Sequence, residues 1–394
     1  MVNVGDILWE PSQQWVEDSN LYKYRQWLKA TRNLEFSSFQ ELRRWSLDHL
    51  DDFWQSIWDY FKIESSTPPT AVLGKRSMPG AEWFPGAHLN YAQHILRHEK
   101  PGATALLYSS EIAPLQSLEW SELANSVRKL ATHLRALGVK PGDRVAAYMA
   151  NTPQAVIAVL ATASIGAIWS SCSPDFGTPS VLDRLSQIQP KVLFCVDGYQ
   201  YKGKPFNRKD EVTNIINALP SVETVIFQPY LNPDDHTPPT PSALLWDDLM
   251  ASPDIAAADF QFEQVPFDHP LWILFSSGTT GLPKAIVHGH GGILIEQHKL
   301  AALHYDLKPG DRMFFFTTTG WMMWNFVVSS MLVQACPILY DGNPTWPEPD
   351  VLWKMTDEAG AKLFGASPTL QQMQENAGIV PKEKFRFEKL GAIM

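Results

Sequence analysis

Residues Leu274-Phe275-Ser276-Ser277-Gly278-Thr279-Thr280-Gly281-Leu282-Pro283-Lys284 run from an apolar strand candidate into a loop of hydroxyls, glycines and one lysine. Glycines let backbone N–H groups come close to a ligand, hydroxyls donate to phosphate oxygens, and lysine adds a compact positive charge. The loop therefore suits a polyphosphate. Its spacing is not G-x-x-x-x-G-K-[ST], because the lysine is the sixth residue after Gly278, preceded by Pro283 and followed by Ala285. G-x-G-x-x-G is absent too, so a dinucleotide loop is not supported. The alternative for a stretch of this composition is a Ser/Thr/Gly surface turn with no ligand.

Three further groups of residues could take part in chemistry. Trp321-Met322-Met323-Trp324 is an aromatic and methionine cluster that reads either as a binding wall or as plain core packing. Tyr199-Gln200-Tyr201-Lys202-Gly203-Lys204, with Arg208 nearby, is a basic and aromatic patch whose alternative is a solvated charged loop. His288 and His290 lie close together without a third ligand at metal spacing, so they read as structural residues holding the exit of the loop, and zinc is not indicated. No metal site and no Ser-His-Asp arrangement is legible, and G-x-S-x-G is absent. Cys172, Cys195 and Cys336 are widely spaced in apolar surroundings and read as buried thiols of a cytoplasmic protein, forming neither a disulfide framework nor a zinc knuckle.

These groups belong to a chain of 394 residues, enough for two or three domains. The net charge of −10 removes any general attraction for nucleic acid or anionic membrane, so a phosphate must be held locally. With 45% hydrophobic and 19% charged residues the composition is that of a packed globular enzyme. The N-terminus has no basic start followed by an apolar run and does not read as a secretory signal. Two uncharged stretches, 145–174 and 313–340, are long enough to span a bilayer. They are interrupted by Asn151-Thr152-Pro153-Gln154 and Thr317-Thr318-Thr319-Gly320, so each reads as a helix plus buried strand and no membrane span is expected.

Apolar residues at three-and-four spacing predict helices over 15–28 and 39–61, the second opened by Ser38 and Glu41 as a capping box. The proline-rich stretch 64–85 reads as extended linker. From Pro101 strands and helices alternate. Strands are expected at 104–108, 144–149, 167–170, 192–196, 224–227 and 271–275, with helices at 120–137, 153–165, 180–187 and 211–219. A proline- and aspartate-rich excursion fills 229–266. The pattern implies an α/β fold of mixed and parallel sheets flanked by helices, with a helical leader.

Ser276 to Lys284 resembles the phosphate-binding signature of the adenylate-forming superfamily. Glu82-Trp83-Phe84-Pro85-Gly86, Leu89-Asn90 and His288-Gly289-His290-Gly291-Gly292 resemble its acetyl-CoA synthetase branch. Within that branch, Ile7-Leu8-Trp9-Glu10-Pro11-Ser12, Val196-Asp197-Gly198-Tyr199, Gly320-Trp321-Met322-Met323-Trp324-Asn325 and Leu339-Tyr340-Asp341-Gly342-Asn343-Pro344 are similar to the acetoacetyl-CoA synthetases.

The resemblance implies a ligase whose small-molecule substrates are acetoacetate, ATP brought with Mg²⁺, and CoA. A carboxylate attacks the α-phosphate to give an acyl-adenylate and pyrophosphate, and the CoA thiol then displaces AMP, with positioning and electrostatics carrying the first step. It implies that Ser276, Ser277, Gly278, Thr279, Thr280, Gly281 and Lys284 wrap the β- and γ-phosphates, and that Trp321, Met322, Met323 and Trp324 stand at the acyl pocket. It places Lys202 and Lys204 near the CoA nucleotide. It further implies a helical N-terminal region over 1–95 and an AMP-binding large domain over 96–394. The adenine-stacking and Mg²⁺-binding segment, the hinge and the lid domain with its catalytic lysine are expected beyond residue 394, making the chain an N-terminal fragment inactive alone. The alternatives are a ligase for acetate or propionate and a silent ATP-binding module.

Overall fold

Two sheets carry the chain, each wound so that helices cover its faces. The structure, a computed structural model, describes residues 3–276 and 281–394. The first sheet has seven strands in the spatial order Leu244–Leu245, Thr224–Gln228, Val192–Val196, Arg144–Tyr148, Ile168–Cys172, Pro270–Phe275 and Ala285–Gly289. Neighbours are parallel except the last pair, an antiparallel hairpin. The second sheet has six strands in the order Ala392–Ile393, Leu363–Gly365, Arg312–Phe315, Cys336–Asp341, Thr104–Ser110 and Gln116–Glu119, again parallel except the last pair.

Strands Ile168–Cys172 and Val192–Val196 are buried along their whole length, so both faces need helices. Val192–Val196 reads as an unbroken apolar run, whereas Ile168–Cys172 carries Ser170 and Ser171, whose hydroxyls donate to the Ile273 and Thr319 carbonyls. Helix Pro153–Ser164 opens with proline at its first turn, and all but one of its residues are buried. Small side chains, as in Ala155, Ala158, Ala161 and Ala163, let this helix lie in the main core. Stretch 145–174 is thus strand, helix and strand, and no helix among the described residues is long and apolar enough to cross a membrane.

In the helical leader each of the two expected helices is broken once. Ser19 accepts a hydrogen bond from the Tyr22 N–H and caps a new helix, giving Gln13–Asp18 and Asn20–Arg32. His49 leaves the helical region and separates Phe39–Asp48 from Leu50–Tyr60. Ser38 does cap its helix by accepting from the Glu41 N–H at 3.2 Å, but the Glu41 carboxylate reaches back to Ser37, one residue earlier than a capping box requires. The leader docks through Asn20, whose side chain donates to the carbonyls of Ala302 and Leu307.

Both sheets share one topological feature. Arg144–Tyr148 lies between Ile168–Cys172 and Val192–Val196, and Arg312–Phe315 lies between Cys336–Asp341 and Leu363–Gly365. Successive connections therefore leave each central strand in opposite directions. This opens a crevice at the carboxyl ends of the strands, where doubly wound sheets bind ligands.

Candidate functional site

The loop 276–284 leaves the carboxyl end of Pro270–Phe275, whose Leu271 and Trp272 are fully buried. Its mouth is closed by the Ser276 N–H donating to the Lys284 carbonyl at 3.1 Å. Gln187 from the adjacent helix donates to the Pro283 carbonyl at 2.9 Å. Gly281 and Lys284 are exposed, so the lysine is presented to solvent on a fixed base. Ser277, Gly278, Thr279 and Thr280 lie outside the described residues.

The two histidines anchor the return strand and the helix after it. His288 Nδ1 accepts from the Trp272 indole at 2.9 Å, and His290 Nδ1 accepts from the Tyr91 N–H at 3.2 Å. Burial lowers the pKa of both, that of His290 to about 3 with His269 adding to the effect, which keeps the rings neutral as these hydrogen bonds require. Among the described residues no group of three or more His, Cys, Asp or Glu side chains is placed to hold a metal ion.

The aromatic cluster is divided by the structure. Trp324 is fully buried and stacks on Trp169 with ring centroids 6.4 Å apart, whereas Trp321 is 48% exposed and Met322 37% exposed at the start of helix Met322–Ser329. Met323 is partly buried against the core. On the same helix both polar atoms of the buried Asn325 side chain lack a hydrogen-bond partner among the described residues.

Asn151 and Asp341, which sequence reasoning left without a role, join the two sheets. The Asn151 amide donates to the carbonyls of Thr317 and Tyr340, both at 3.2 Å, and its oxygen accepts from the Trp324 indole at 2.9 Å. Asp341 accepts from the Asn151 N–H and from the Tyr230 hydroxyl. The residue keeps some exposed surface, yet burial of the carboxyl pushes its pKa up to about 6 against the pull of these two donors. Ser171 donates to the Thr319 carbonyl and the Thr319 hydroxyl donates to the Met149 carbonyl, completing a polar clasp between the two carboxyl edges.

Lys202 and Lys204 lie in a hairpin that emerges from the crevice of the first sheet, immediately after Val196 and Asp197. Strands Gly198–Tyr201 and Lys204–Asn207 pair antiparallel, and Lys202 and Gly203 both have positive φ, the two-residue turn that suits a hairpin twist. Arg208 belongs to the root of the hairpin. It pairs with Glu211 at 2.6 Å and lies over the stacked rings of Tyr199 and Phe206. Lys202 and Lys204 are exposed and form no ion pair among the described residues, while Arg208 and Lys209 do.

Comparison with known proteins identifies this architecture. The model of the AMP-binding enzyme family matches residues 95–390, and that of the acetyl-coenzyme A synthetase N-terminus matches 39–95. The chain belongs to the AMP-binding enzyme family, and its fold is that of the large domain of adenylate-forming enzymes. It is 38% identical to the acetoacetyl-CoA synthetase of Rattus norvegicus, over 98% of this chain and 58% of the relative. It is 35% identical to malonamoyl-CoA synthetase vrtB of Penicillium aethiopicum, over 96% of this chain and 55% of the relative. The solved acetoacetyl-CoA synthetase of Streptomyces lividans superposes with a TM-score of 0.93 at 46% identity, covering 98% of this chain and 59% of that one. The chain thus spans less than two thirds of the length of these relatives.

Proposed function

We propose that the protein is an ATP-dependent acid–thiol ligase that makes acetoacetyl-CoA from acetoacetate and CoA, releasing AMP and pyrophosphate. The observation that carries this reading is the bond from the Ser276 N–H to the Lys284 carbonyl, which joins the ends of the signature segment at the carboxyl end of a buried strand, beside the crevice where such sheets take ligands. The acid's carboxylate oxygen attacks the α-phosphorus of ATP and pyrophosphate leaves. The CoA sulfur then attacks the acyl carbon, and AMP leaves with the bonding electron pair. Neither step needs a protein nucleophile.

In this reading Ser276, Gly281 and Lys284, together with Ser277, Gly278, Thr279 and Thr280, hold the β- and γ-phosphates. Lys284 offsets charge that builds on the departing pyrophosphate. Trp321, Met322 and Met323 border the acyl group over the buried Trp324. Acetoacetate and malonamate, the acids implied by the names of two relatives, are both short and carry a carbonyl at C3. The buried amide of Asn325, without a hydrogen-bond partner among the described residues, offers a donor to such a carbonyl, which acetate lacks. Lys202 and Lys204 meet phosphates of the CoA nucleotide. Residues 1–95 act as the leader and 96–394 as the AMP-binding domain, Mg²⁺ comes with ATP, and the reaction belongs to the cytoplasm, which three free buried thiols suit.

The test is acid-dependent ATP–pyrophosphate exchange by the full encoded chain. Exchange is expected with acetoacetate well above acetate or propionate, and Lys284→Ala is expected to raise the KM for ATP about tenfold, the loss of one charge-assisted contact. Equal exchange with acetate would overturn the assignment of the acid. An unchanged KM for ATP in Lys284→Ala would overturn the role of the loop.

A further inference from the structure

We propose that Glu111 is a positioning residue for CoA, its carboxylate locking the tip of hairpin 198–207 and so setting where Lys202 and Lys204 present their charges. The proposal rests on the reading that these two lysines meet the CoA phosphates.

The geometry is specific. Glu111 Oε1 accepts from the Lys202 N–H at 2.8 Å and from the Asn343 N–H at 2.7 Å, and Oε2 accepts from the Gly203 N–H at 2.8 Å. Three backbone donors from two distant segments converge on one carboxylate, a charge-assisted arrangement stronger than neutral hydrogen bonds. Positive φ at both Lys202 and Gly203 is what turns two consecutive N–H groups toward the same acceptor.

Two glycines make room for this contact. A Cβ on Gly342 would stand 2.7 Å from Glu111 Cγ and 3.2 Å from its Oε1, at a φ of +153° that other residues rarely adopt. A Cβ on Gly203 would stand 2.8 Å from the Trp346 ring, which backs the hairpin tip. The run Asp341-Gly342-Asn343 therefore contributes, in order, a sheet clasp, a gap for Glu111 and a donor to Glu111.

The hairpin needs such a lock. Residues 198–207 form a two-stranded sheet separate from the two large ones, and an isolated pair of strands is marginally stable in water. Arg208 fixes the root and Glu111 with Trp346 fixes the tip. Lysine is a flexible point charge, so holding its backbone beforehand lowers the entropy lost when it engages a phosphate.

The experiment compares Glu111→Ala, Glu111→Gln and Gly203→Ala with the double variant Lys202→Ala/Lys204→Ala in the full encoded chain. Backbone amide exchange over 202–204 and the KM values for CoA and ATP are read. Glu111→Ala is expected to speed exchange of the Lys202 and Gly203 amides and to raise the KM for CoA about tenfold, the loss of one to two net hydrogen bonds, with a smaller change in the KM for ATP. Glu111→Gln keeps one acceptor oxygen and falls between. Gly203→Ala pushes the tip off Trp346 without removing the carboxylate and is expected to reproduce the rise. Unchanged exchange in Glu111→Ala overturns the lock. Faster exchange with an unchanged KM for CoA, while the double-lysine variant raises it, overturns the positioning role alone. An unchanged KM in the double-lysine variant overturns the CoA reading and the proposal with it.

Discussion

Replacing Asn151 by alanine tests whether the two sheets are held together by the polar clasp. Asn151 is 4% exposed, and its side chain supports the Thr317 and Tyr340 carbonyls and the Trp324 indole N–H at 3.2, 3.2 and 2.9 Å. Alanine removes all three bonds and leaves an indole donor without its partner in a buried setting. A net hydrogen bond is worth about 1 kcal/mol and an orphaned buried polar group costs about 1–3 kcal/mol, so Asn151→Ala should lose about 3–5 kcal/mol. The bond from the Asn151 backbone N–H to the Asp341 carboxylate does not involve the Asn151 side chain and remains available in the variant.

Urea unfolding followed by near-ultraviolet circular dichroism measures this loss, since Trp324 and the stacked Trp169 report directly on the clasp. Asn151→Asp should be at least as damaging, because a carboxylate would face two carbonyl oxygens. Trp324→Phe removes the donor together with part of a buried ring, a packing cost that a double-mutant cycle with Asn151→Ala cancels, so the cycle should show a coupling of about 1 kcal/mol. A loss below about 1 kcal/mol in Asn151→Ala, or a coupling of zero, would refute the reasoning.

Two further outcomes follow from burial and close packing. His94, His290 and His298 have pKa values lowered by burial to about 4, 3 and 3, so from pH 6.5 to 4 the unfolded chain binds protons that the folded one refuses and stability falls with acid. Asp341, raised to about 6, works in the opposite sense below that pH, so Asp341→Asn should steepen the loss; a flat stability profile between pH 6 and 4 would contradict this. Gly291→Ala should cost about 2–3 kcal/mol, because its Cβ would stand 2.1 Å from a Phe267 ring already packed against Trp58 and Phe84. Gly292→Ala, with nothing within 4 Å, should be neutral or mildly stabilising, and equal thermal midpoints for the two would count against the packing argument.

What the sequence made legible was local. An unbroken apolar run marked Val192–Val196 as a strand covered on both faces, and Pro153 marked the start of a helix. Residues 276–284 stood out because their order resembles the adenylate-forming signature, whereas their composition alone left a ligand-free surface turn open. The hairpin at 198–207 was missed because its turn is Lys-Gly rather than the favoured Asn-Gly, and its strands carry no alternation of apolar and polar residues. Trp321 and Trp324 looked alike in the sequence. Their separation into surface and core arises because Trp321 is the extended residue capping helix Met322–Ser329, whereas Trp324 lies in its first turn and stacks on Trp169. Asn151 looked like an interruption in an apolar run, since its partners come from residues 317, 324 and 340.

The polar clasp explains why buried amides, hydroxyls and a carboxyl occupy a place where apolar packing would bind the sheets as well. Apolar surfaces attract without direction and tolerate sliding, whereas Asn151, Ser171, Thr319 and Asp341 with Tyr230 are satisfied in one register only. The proposed site takes its phosphate loop and basic hairpin from the first sheet and its acyl border from the second. A shift of one sheet against the other by about 1 Å would misplace the acid relative to the phosphate it attacks, with a cost in rate on the order of 100-fold. The same logic extends outward to Glu111, which follows a strand of the second sheet and holds a hairpin that leaves the first. For the proposed reaction, fixing the register of the two sheets and fixing the hairpin are therefore parts of one requirement, that groups carried on different sheets would meet three small molecules in a single geometry.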